Sequence, residues 1–350
     1  MSTAIDNFRQ HVLARKPLRI RGGGSKDFYG GPLTGEVLDT RVHSGILGYE
    51  PTELVITAKC GTPLSEIKSA LAKRRQFLPC ELPNFGGEAT VGGAVAAGLS
   101  GPRRMSAGSL RDFVLGVRIM DGSGHELKFG GEVMKNVAGY DVSRLLAGSL
   151  GTLGLILDVS IKVLPCPVAE ATLQLEMPQA NALEQMNRWG GQPLPISATC
   201  WEGNVLSVRL SGAEAAVRSA TTELGGELVP VAQADEFWDA LCQQRTVFFA
   251  GEIPLWRLSL PSVTPPLELP GATLIEWGGA QRWLRGDLGA SRMHQTLEKL
   301  GGHATMFRGG VKEAGVFQPL PPALMAIHRR LKAVFDPHGV FNPGRLVTEF

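Results

Sequence analysis

Glycine placement constrains this chain more than any other feature of its sequence. The segment G-S-L-G-T-L-G at residues 148–154 holds three glycines in seven residues and leads into an apolar run over residues 155–163. Glycine is unfavourable inside regular structure, so this spacing predicts a backbone that turns tightly or approaches something closely. A simple turn between a helix and a buried strand is the alternative, and the pattern alone does not decide between the two.

Two more glycine segments lie earlier in the chain. Residues 89–101 are rich in alanine and glycine, which predicts a helix packed very close to its neighbour, either protein or the diphosphate of a dinucleotide. A strand predicted at residues 18–21 runs into a loop whose bare backbone N–H groups can converge on a phosphate, with a flexible turn as the alternative. That loop matches neither G-x-x-x-x-G-K-[ST] nor G-x-G-x-x-G. It consists of Gly22, Gly23, Gly24, Ser25 and Lys26.

Composition excludes several classes of protein. The net charge of +2 gives no general argument for nucleic acid or an anionic membrane surface. The polar start is unlike a signal peptide, and no apolar run approaches the roughly 18 residues of a membrane span. We therefore expect a cytoplasmic protein, with peripheral attachment to the inner membrane through partners left open. The five cysteines are scattered and lack a C-x-x-C pair, so we expect no disulfide framework and no metal or iron–sulfur site.

The order of predicted elements indicates an α+β protein with two domains. We expect a first domain over residues 1–167, made of two lobes that divide near residue 55. Residues 168–310 alternate strands and helices, which predicts a second domain with an antiparallel sheet covered by helices. Residues 311–350 form a C-terminal helix and a double turn. In that helix, residues 322–335, the pattern predicts four apolar residues inward and three basic residues outward. These are Leu324, Ile327, Leu331 and Val334, and Arg329, Arg330 and Lys332.

Five motifs together resemble a known family. They are R-G-G-G-S at residues 21–25, T-V-G-G at 90–93, K-N-V-A-G-Y-D at 135–141, the glycine segment at 148–154, and D-P-x-G-V-F-N-P-G at 336–344. The chain resembles flavoproteins of the vanillyl-alcohol-oxidase, or PCMH, type, and within them the FAD-binding subunits of bacterial glycolate oxidases. G-P-R-R at residues 101–104 and G-G-H-A-T at 301–305 add to the second likeness. The resemblance covers essentially the whole chain.

The resemblance implies a two-lobed PCMH-type FAD-binding domain, a ferredoxin-like cap domain and a C-terminal helix that returns to the FAD domain. The first glycine loop would hold the pyrophosphate, the alanine-rich helix would pack on the diphosphate and ribityl chain, and residues 151–156 would run along the adenosine as a strand. The residues implied to bind FAD are Gly22, Gly23, Gly24, Ser25, Lys26, Thr90, Val91, Gly92, Gly93, Gly98, Leu99, Ser109, Asp112, Lys135, Asn136, Gly139, Tyr140, Gly151, Gly154, Leu155, Ile156 and Asn342.

The chain departs from its relatives in two ways. Typical members have glutamate where this chain has Leu150. The His-Gly-Asp-Gly-Asn-x-His-like and Gly-Glu-His segments, which give full-length 2-hydroxy-acid dehydrogenases a metal site and a base, are absent. The glycine loop has no histidine either, so we expect FAD to bind non-covalently. The catalytic residues stay unknown, with His303, Tyr140 and Arg103 as weak candidates.

The resemblance implies an FAD-dependent oxidoreductase acting on the CH–OH group of a small 2-hydroxy acid. The chain would be one subunit of a glycolate oxidase that also has a larger FAD-containing catalytic subunit and an iron–sulfur subunit. Glycolate, or D-lactate, would be oxidised to the 2-oxo acid, and the electrons would pass to an acceptor such as a quinone rather than to NAD. Two alternatives stay open: a stand-alone FAD-dependent 2-hydroxy-acid dehydrogenase, and a flavin-free scaffold subunit.

Overall fold

The computed structural model describes residues 3–131 and 140–349. Its strands are β1 (Leu18–Arg21), β2 (Glu36–Asp39), β3 (Ile46–Glu50), β4 (Val55–Lys59), β5 (Gln76–Phe77), β6 (Val114–Met120), β7 (Glu126–Gly130), β8 (Leu155–Lys162), β9 (Leu164–Pro165), β10 (Ala169–Glu176), β11 (Ile196–Glu202), β12 (Val205–Gly212), β13 (Glu227–Leu228), β14 (Leu255–Ser259), β15 (Ala272–Glu276), β16 (Gln281–Arg285) and β17 (His303–Arg308). Its helices are α1 (Ala4–Leu13), α2 (Leu64–Ala72), α3 (Val91–Ala97), α4 (Arg104–Ala107), α5 (Leu110–Phe113), α6 (Val142–Leu145), α7 (Gln179–Gly190), α8 (Glu214–Leu224), α9 (Val231–Cys242), α10 (Ala290–Lys299) and α11 (Pro322–Phe335).

The first of two compact units comprises Met1–Leu99, Ser109–Pro165 and Pro319–Phe350. It contains a parallel pair, β1 with β2, and a five-stranded antiparallel sheet in the order β3-β4-β8-β6-β7. One core cluster joins both ends of the chain to the sheet, because Phe8 of α1 and Phe341 of the C-terminal turn pack with Leu18, Leu155 and Leu157. The return of the C-terminal segment to the first domain is therefore built into its hydrophobic core.

The second unit comprises Ser100–Gly108 and Cys166–Gln318. Its eight-stranded sheet has the order β13-β10-β12-β11-β15-β16-β14-β17, with antiparallel pairing throughout. The α+β class is confirmed, whereas the exact domain boundaries stay a prediction. Sequence reasoning missed β11, β16 and α9. The strand β16 shows why: it contains Arg282, which is fully buried and donates to the carbonyls of Thr264, Pro265 and Gly279.

The C-terminal helix corrects the prediction about its buried face. The bounds of α11 are as predicted, but Leu324, Ile327 and Val334 are 42%, 53% and 75% exposed. Lys332, predicted to face outward, is buried together with Phe335. A hydrophobic pattern identifies the residues that share a face, and it does not say which face meets the core.

The cysteines give a direct test of this packing. Burial raises the pKa of the thiols of Cys60 and Cys80 to about 12, and it raises that of Cys200 well above its usual value. Cys166 is exposed. Reaction with a disulfide reagent requires access and thiolate character, so we expect the buried thiols to react only after unfolding and the half-buried Cys242 slowly, which leaves Cys166 as the source of a fast phase at pH 8 in the native protein. Ellman's titration should lose this phase in the Cys166→Ser variant, and rapid modification of Cys60 before unfolding would contradict the structure.

Among the described residues, no helix is long and apolar enough to cross a membrane.

Candidate cofactor site

A cavity in the first unit brings four separate glycine-bearing segments together. Its lining comes from β1 and the loop after it, from α3, from the turn before β8, and from the C-terminal turn. The lining residues are Arg19, Ile20, Arg21, Gly22, Gly23, Gly24, Ser25, Lys26, Asp27, Leu33, Thr40, Cys60, Thr90, Gly92, Gly93, Ala96, Ala97, Leu150, Gly151, Gly154, Leu155, Ile156, Asn342 and Arg345. The segments are far apart in sequence, so the cavity is a product of the tertiary fold.

The first glycine loop packs directly on the start of α3. A Cβ on Gly22 would lie 2.2 Å from the Thr90 Oγ1, and one on Gly23 would lie 1.5 Å from the Glu88 carbonyl oxygen. Gly24 has a φ of +74°, in the left-handed region that favours glycine. These glycines are therefore required by the close approach of two protein segments.

Helix α3 also fits closely against the glycine segment at residues 148–154, which is called the second glycine segment below. Thr90 caps the helix, because its side chain accepts a hydrogen bond from the Gly93 N–H. The N–H groups of Gly148 and Leu150 donate to the carbonyls of Val95 and Ala96 over 3.0 and 2.8 Å. The turn thus supplies a partner for the Ala96 carbonyl at the helix end and a second one for the Val95 carbonyl, which also accepts from the Gly98 N–H.

The C-terminal turn closes the cavity through Asn342. Its backbone N–H donates to the Leu18 carbonyl, and its side-chain Oδ1 accepts from the Ile20 N–H over 2.7 Å. Its Nδ2 donates to the Leu150 carbonyl over 2.6 Å. One buried amide therefore ties β1 to the second glycine segment, even though its own φ is +42°.

Replacing Asn342 with alanine should destabilise the first unit and weaken flavin retention. The change leaves the Ile20 N–H and the Leu150 carbonyl without their partner, at a cost of about 1–3 kcal/mol for an unsatisfied buried group. Asn342→Gly loses the same hydrogen bonds but relieves the left-handed strain, so it should be more stable than Asn342→Ala by about 1 kcal/mol. Thermal unfolding of the three proteins tests this order, and equal stability of all three would contradict it.

Basic side chains predominate in the cavity. Arg19, Arg21, Lys26 and Arg345 line it, whereas Asp27 is the only carboxylate among its described lining residues. Arg19 and Arg21 both pair with Asp27, over 2.5 and 3.1 Å. The buried Nε of Arg19 has no hydrogen-bond partner among the described residues. An anionic ligand would satisfy this donor and offset the excess of positive charge.

Arg345 fixes the segment that follows the glycine loop. Its guanidinium donates to the carbonyls of Tyr29, Gly31 and Asp27. Burial lowers its pKa to about 10, against an opposing effect of Asp27. The side chain therefore remains charged at neutral pH and holds the residues that follow the first glycine loop.

The structure brings some of the predicted FAD residues together around the cavity and places others elsewhere. Those that line the cavity are Gly22, Gly23, Gly24, Ser25, Lys26, Thr90, Gly92, Gly93, Gly151, Gly154, Leu155, Ile156 and Asn342. Those described outside its lining are Val91, Gly98, Leu99, Ser109, Asp112 and Tyr140. Residues 151–154 form a turn, and the strand expected over residues 151–156 begins only at Leu155. Lys135, Asn136 and Gly139 lie outside the described residues.

Several of these residues have structural roles at the ends of helices. Ser109 and Asp112 form a capping box at the start of α5. Gly98 ends α3 in the left-handed conformation, and a Cβ there would lie 2.7 Å from the Gly148 nitrogen. Their proposed contacts with FAD stay a prediction.

The three weak catalytic candidates differ in their surroundings. Arg103 lies in the second unit, where it is buried and donates to Glu170 and Ser211 over 2.6 and 3.0 Å. His303 begins β17 and is accessible to solvent, while its neighbours desolvate the ring in part and, together with Arg257, lower its pKa. Tyr140 is 96% exposed. Among the described residues, no group of three His, Cys, Asp or Glu side chains could hold a metal ion.

Of the four basic residues that line the cavity, sequence reasoning named Lys26 and missed Arg19, Arg21 and Arg345. Arg19 and Arg21 alternate along β1, which is also the pattern of an ordinary solvent-facing strand edge. Arg345 directly follows the N-P-G motif, and this position is the one feature of the sequence that could have indicated a role in the site.

Comparison with known proteins identifies the fold and the family of the chain. Residues 6–130 match the family described as FAD binding domain, and residues 309–346 match the C-terminal domain of FAD linked oxidases. Two solved structures share the fold. They are p-cresol methylhydroxylase with substrate bound, with a TM-score of 0.69 at 14% identity over 100% of this chain and 88% of that one, and alkyldihydroxyacetonephosphate synthase, with a TM-score of 0.67 at 16% identity over 98% and 75%.

Similar sequences identify the family more closely. The chain is 32% identical to glycolate oxidase subunit GlcD of Bacillus subtilis over 45% of this chain and 34% of that protein. It is 24% identical to a D-lactate dehydrogenase of Archaeoglobus fulgidus over 95% of this chain and 86% of that protein. It is 50% identical to glycolate oxidase subunit GlcE of Escherichia coli over 99% of this chain and 97% of that protein. With this identity over nearly its whole length, and with a matching FAD-binding domain, the chain belongs to the GlcE family of glycolate oxidase subunits.

Proposed function

We propose that this chain is the FAD-binding subunit of a multi-subunit glycolate oxidase. The complex oxidises glycolate, or D-lactate, to the 2-oxo acid and passes the electrons to a non-NAD acceptor such as a quinone. The observation that carries this proposal is the 50% identity to glycolate oxidase subunit GlcE over 99% of the chain. The partners are a larger FAD-containing catalytic subunit and an iron–sulfur subunit. We place the complex in the cytoplasm, with attachment to the inner membrane through the partners.

The chain's own residues supply the binding of FAD. When bound, FAD supplies a ring that accepts a hydride equivalent from the substrate carbon. Arg19, Arg21 and Lys26 would balance the negative charge of the diphosphate, and the backbone of residues 22–24 would donate to it. Leu155 and Ile156 give the cavity an apolar wall. The cofactor is thus held chiefly by charge and by close backbone approach.

The binding is non-covalent in this proposal. The described lining of the cavity includes no histidine, and its one cysteine is Cys60. Burial raises the pKa of Cys60 to about 12, so the thiol stays protonated and is a poor nucleophile at neutral pH. Neither group that commonly links a protein to a flavin is therefore available in the described part of the site.

Substrate oxidation is assigned to the assembled complex rather than to this chain alone. Arg103, the one cation among the three catalytic candidates, could bind a substrate carboxylate, but its guanidinium is already paired with Glu170. A base also has to accept the hydroxyl proton of the substrate. Of the three candidates, His303 is the one imidazole that could accept this proton, and its side chain is exposed to solvent rather than enclosed in a site. We infer that the larger subunit supplies the base and the carboxylate-binding residues.

Absorbance spectroscopy of the purified chain tests this function. We expect flavin bands from the chain expressed alone, and acid should release the chromophore into the supernatant as FAD. Addition of glycolate should leave the bands unchanged until the larger subunit is present. Bleaching of the isolated chain would instead establish the stand-alone dehydrogenase. A colourless, folded protein that takes up no added FAD would instead establish the flavin-free scaffold subunit.

A further inference from the structure

The outward face of helix α11 is apolar and has no covering element in the described structure. Ile327 and Val334 are 53% and 75% exposed, and Leu324 beside them is 42% exposed. With 100° per residue, these side chains lie within one stripe along the helix, together with Ala323 and the half-buried Leu331. Isolated exposed apolar residues need no explanation, but a continuous stripe along one helix does.

The helix is held in place by its other face. Phe335 is buried, with its ring 6.0 Å from that of Phe129, and Lys332 donates to Asp336, to Thr152 and to Phe341. These contacts fix the rotation of α11. Turning the helix to bury its apolar stripe would expose Phe335 and break the buried ion pair. The stripe is therefore presented to the outside by the fold itself.

Charge distinguishes between the possible occupants. The sequence of α11 contains no acidic residue, and Arg329 and Arg330 are exposed. Arg330 has no ion-pair partner among the described residues, whereas Arg329 lies 3.5 Å from Glu349. In a symmetric pair of such helices, the exposed arginines of both copies would lie in one contact to which neither helix contributes a carboxylate. Like-charge contact disfavours a second copy.

A membrane surface is the other alternative, and the residue types disfavour it. Helices that lie in a membrane interface are typically rich in lysine and arginine on the polar face and carry tryptophan, phenylalanine or leucine on the apolar face. The exposed face of α11 includes leucine but neither tryptophan nor phenylalanine, and one of its two arginines, Arg329, is paired with Glu349. With Arg330 as the one exposed arginine of the helix that has no described ion-pair partner, this face offers little attraction to an anionic membrane surface, and we assign it to a protein.

We propose that the outward face of α11 docks onto a protein subunit whose matching surface is apolar and bordered by carboxylates. The proposal rests on the function proposed above and identifies this subunit as the larger FAD-containing subunit of the same oxidase. The helix of 14 residues is about 21 Å long, so it would form the centre of an interface of ordinary size rather than all of it. Ile327 is the central apolar contact, and Arg330 lies at the border.

Titration calorimetry with the purified larger subunit tests the proposal. Ile327→Lys should raise the Kd at least tenfold, because it places a charge at the apolar centre. Arg330→Glu should raise the Kd about tenfold, and the binding of the wild type should weaken with added salt more than that of this variant. Val247→Lys and Arg218→Glu are matched controls on exposed residues elsewhere and should bind like the wild type. Circular dichroism and FAD content should be the same in all five proteins.

Each other outcome overturns the proposal in a recognisable way. If the wild type binds the larger subunit and Ile327→Lys binds equally well, α11 is not the docking surface, while the proposed function stands. If the folded wild type does not bind that subunit at all, both the docking surface and the multi-subunit function are wrong. Self-association of the chain that is lost in Ile327→Lys would assign the surface to a second copy. Binding to anionic phosphatidylserine vesicles that is lost in the same variant would assign it to a membrane.

Discussion

Replacing Lys332 with methionine is expected to lower the stability of the first unit by about 3–5 kcal/mol, the usual effect of removing one partner of a buried ion pair. Lys332 Nζ lies 2.7 Å from Asp336 Oδ2, and the carboxylate side chain is fully buried. The same ammonium donates to the carbonyls of Thr152 and Phe341 over 2.8 and 3.1 Å. Methionine has a similar volume but no donor, so the two carbonyls would lose their partner. The buried carboxylate would keep its backbone hydrogen bonds from Val340 and Phe341 but would have no counter-charge.

Two further variants separate this cause from others. Asp336→Asn in the Lys332→Met background removes the buried charge, so part of the lost stability should return. Arg330→Met on the exposed side of the same helix should change stability by less than about 0.5 kcal/mol. Thermal unfolding followed by circular dichroism measures all three. A loss below about 1 kcal/mol in Lys332→Met would mean that Asp336 is solvated or otherwise neutralised in the native protein.

The effect should extend to the cofactor site. Thr152 belongs to the second glycine segment, and Asn342 follows Phe341 directly. Lys332 therefore joins α11 to two of the segments that form the cavity. We expect the flavin content of purified Lys332→Met to fall together with its melting temperature, while added FAD should partly restore the melting temperature because FAD binds only the native state.

The sequence predicts the glycine-bearing segments of the site well, because their signals are local. Gly24 requires a positive φ, and Gly22 and Gly23 have no room for a side chain. The contacts that exclude a side chain at Gly22 and Gly23 come from residues 88–90, which are distant in sequence, but the glycine itself marks each position. The number of such positions in one chain indicates a common site. The bounds of α11 are likewise marked by local signals, since the helix begins with proline and is followed by a predicted double turn.

The charged residues of the site were not predictable in the same way. Arg19 and Arg21 occupy strand positions that usually face water, and only the fold shows that they border a cavity. Lys332 and Arg282 look like surface residues, yet both are buried because nearby carboxylate or carbonyl groups satisfy their donors. Burial of a cation depends on partners that are distant in sequence. Residue type alone therefore misassigned Lys332 and gave no reason to expect a buried Arg282.

Gly93→Ala is expected to weaken FAD binding while leaving the fold intact. A Cβ at this position would meet only the Thr90 Oγ1 within 4 Å, at 3.2 Å, and otherwise points into the cavity. Alanine is also the better helix former, by about 0.8–1 kcal/mol. A methyl group in the space of the ligand should cost about 1–3 kcal/mol, as overpacking does, and this corresponds to a Kd for FAD raised roughly 5- to 150-fold.

Contrasting glycines make this test specific. Gly190→Ala in α7 is a matched control, since a Cβ there meets nothing within 4 Å and the residue lies outside the cavity. Gly23→Ala should instead lower stability and flavin binding together, because its Cβ would lie 1.5 Å from the Glu88 carbonyl oxygen and the loop would have to move. Titration of the apoproteins with FAD, followed by flavin fluorescence, and thermal unfolding give the two readouts. If Gly93→Ala binds FAD as tightly as the wild type, the diphosphate does not run along α3, and the cofactor must lie against another part of the cavity.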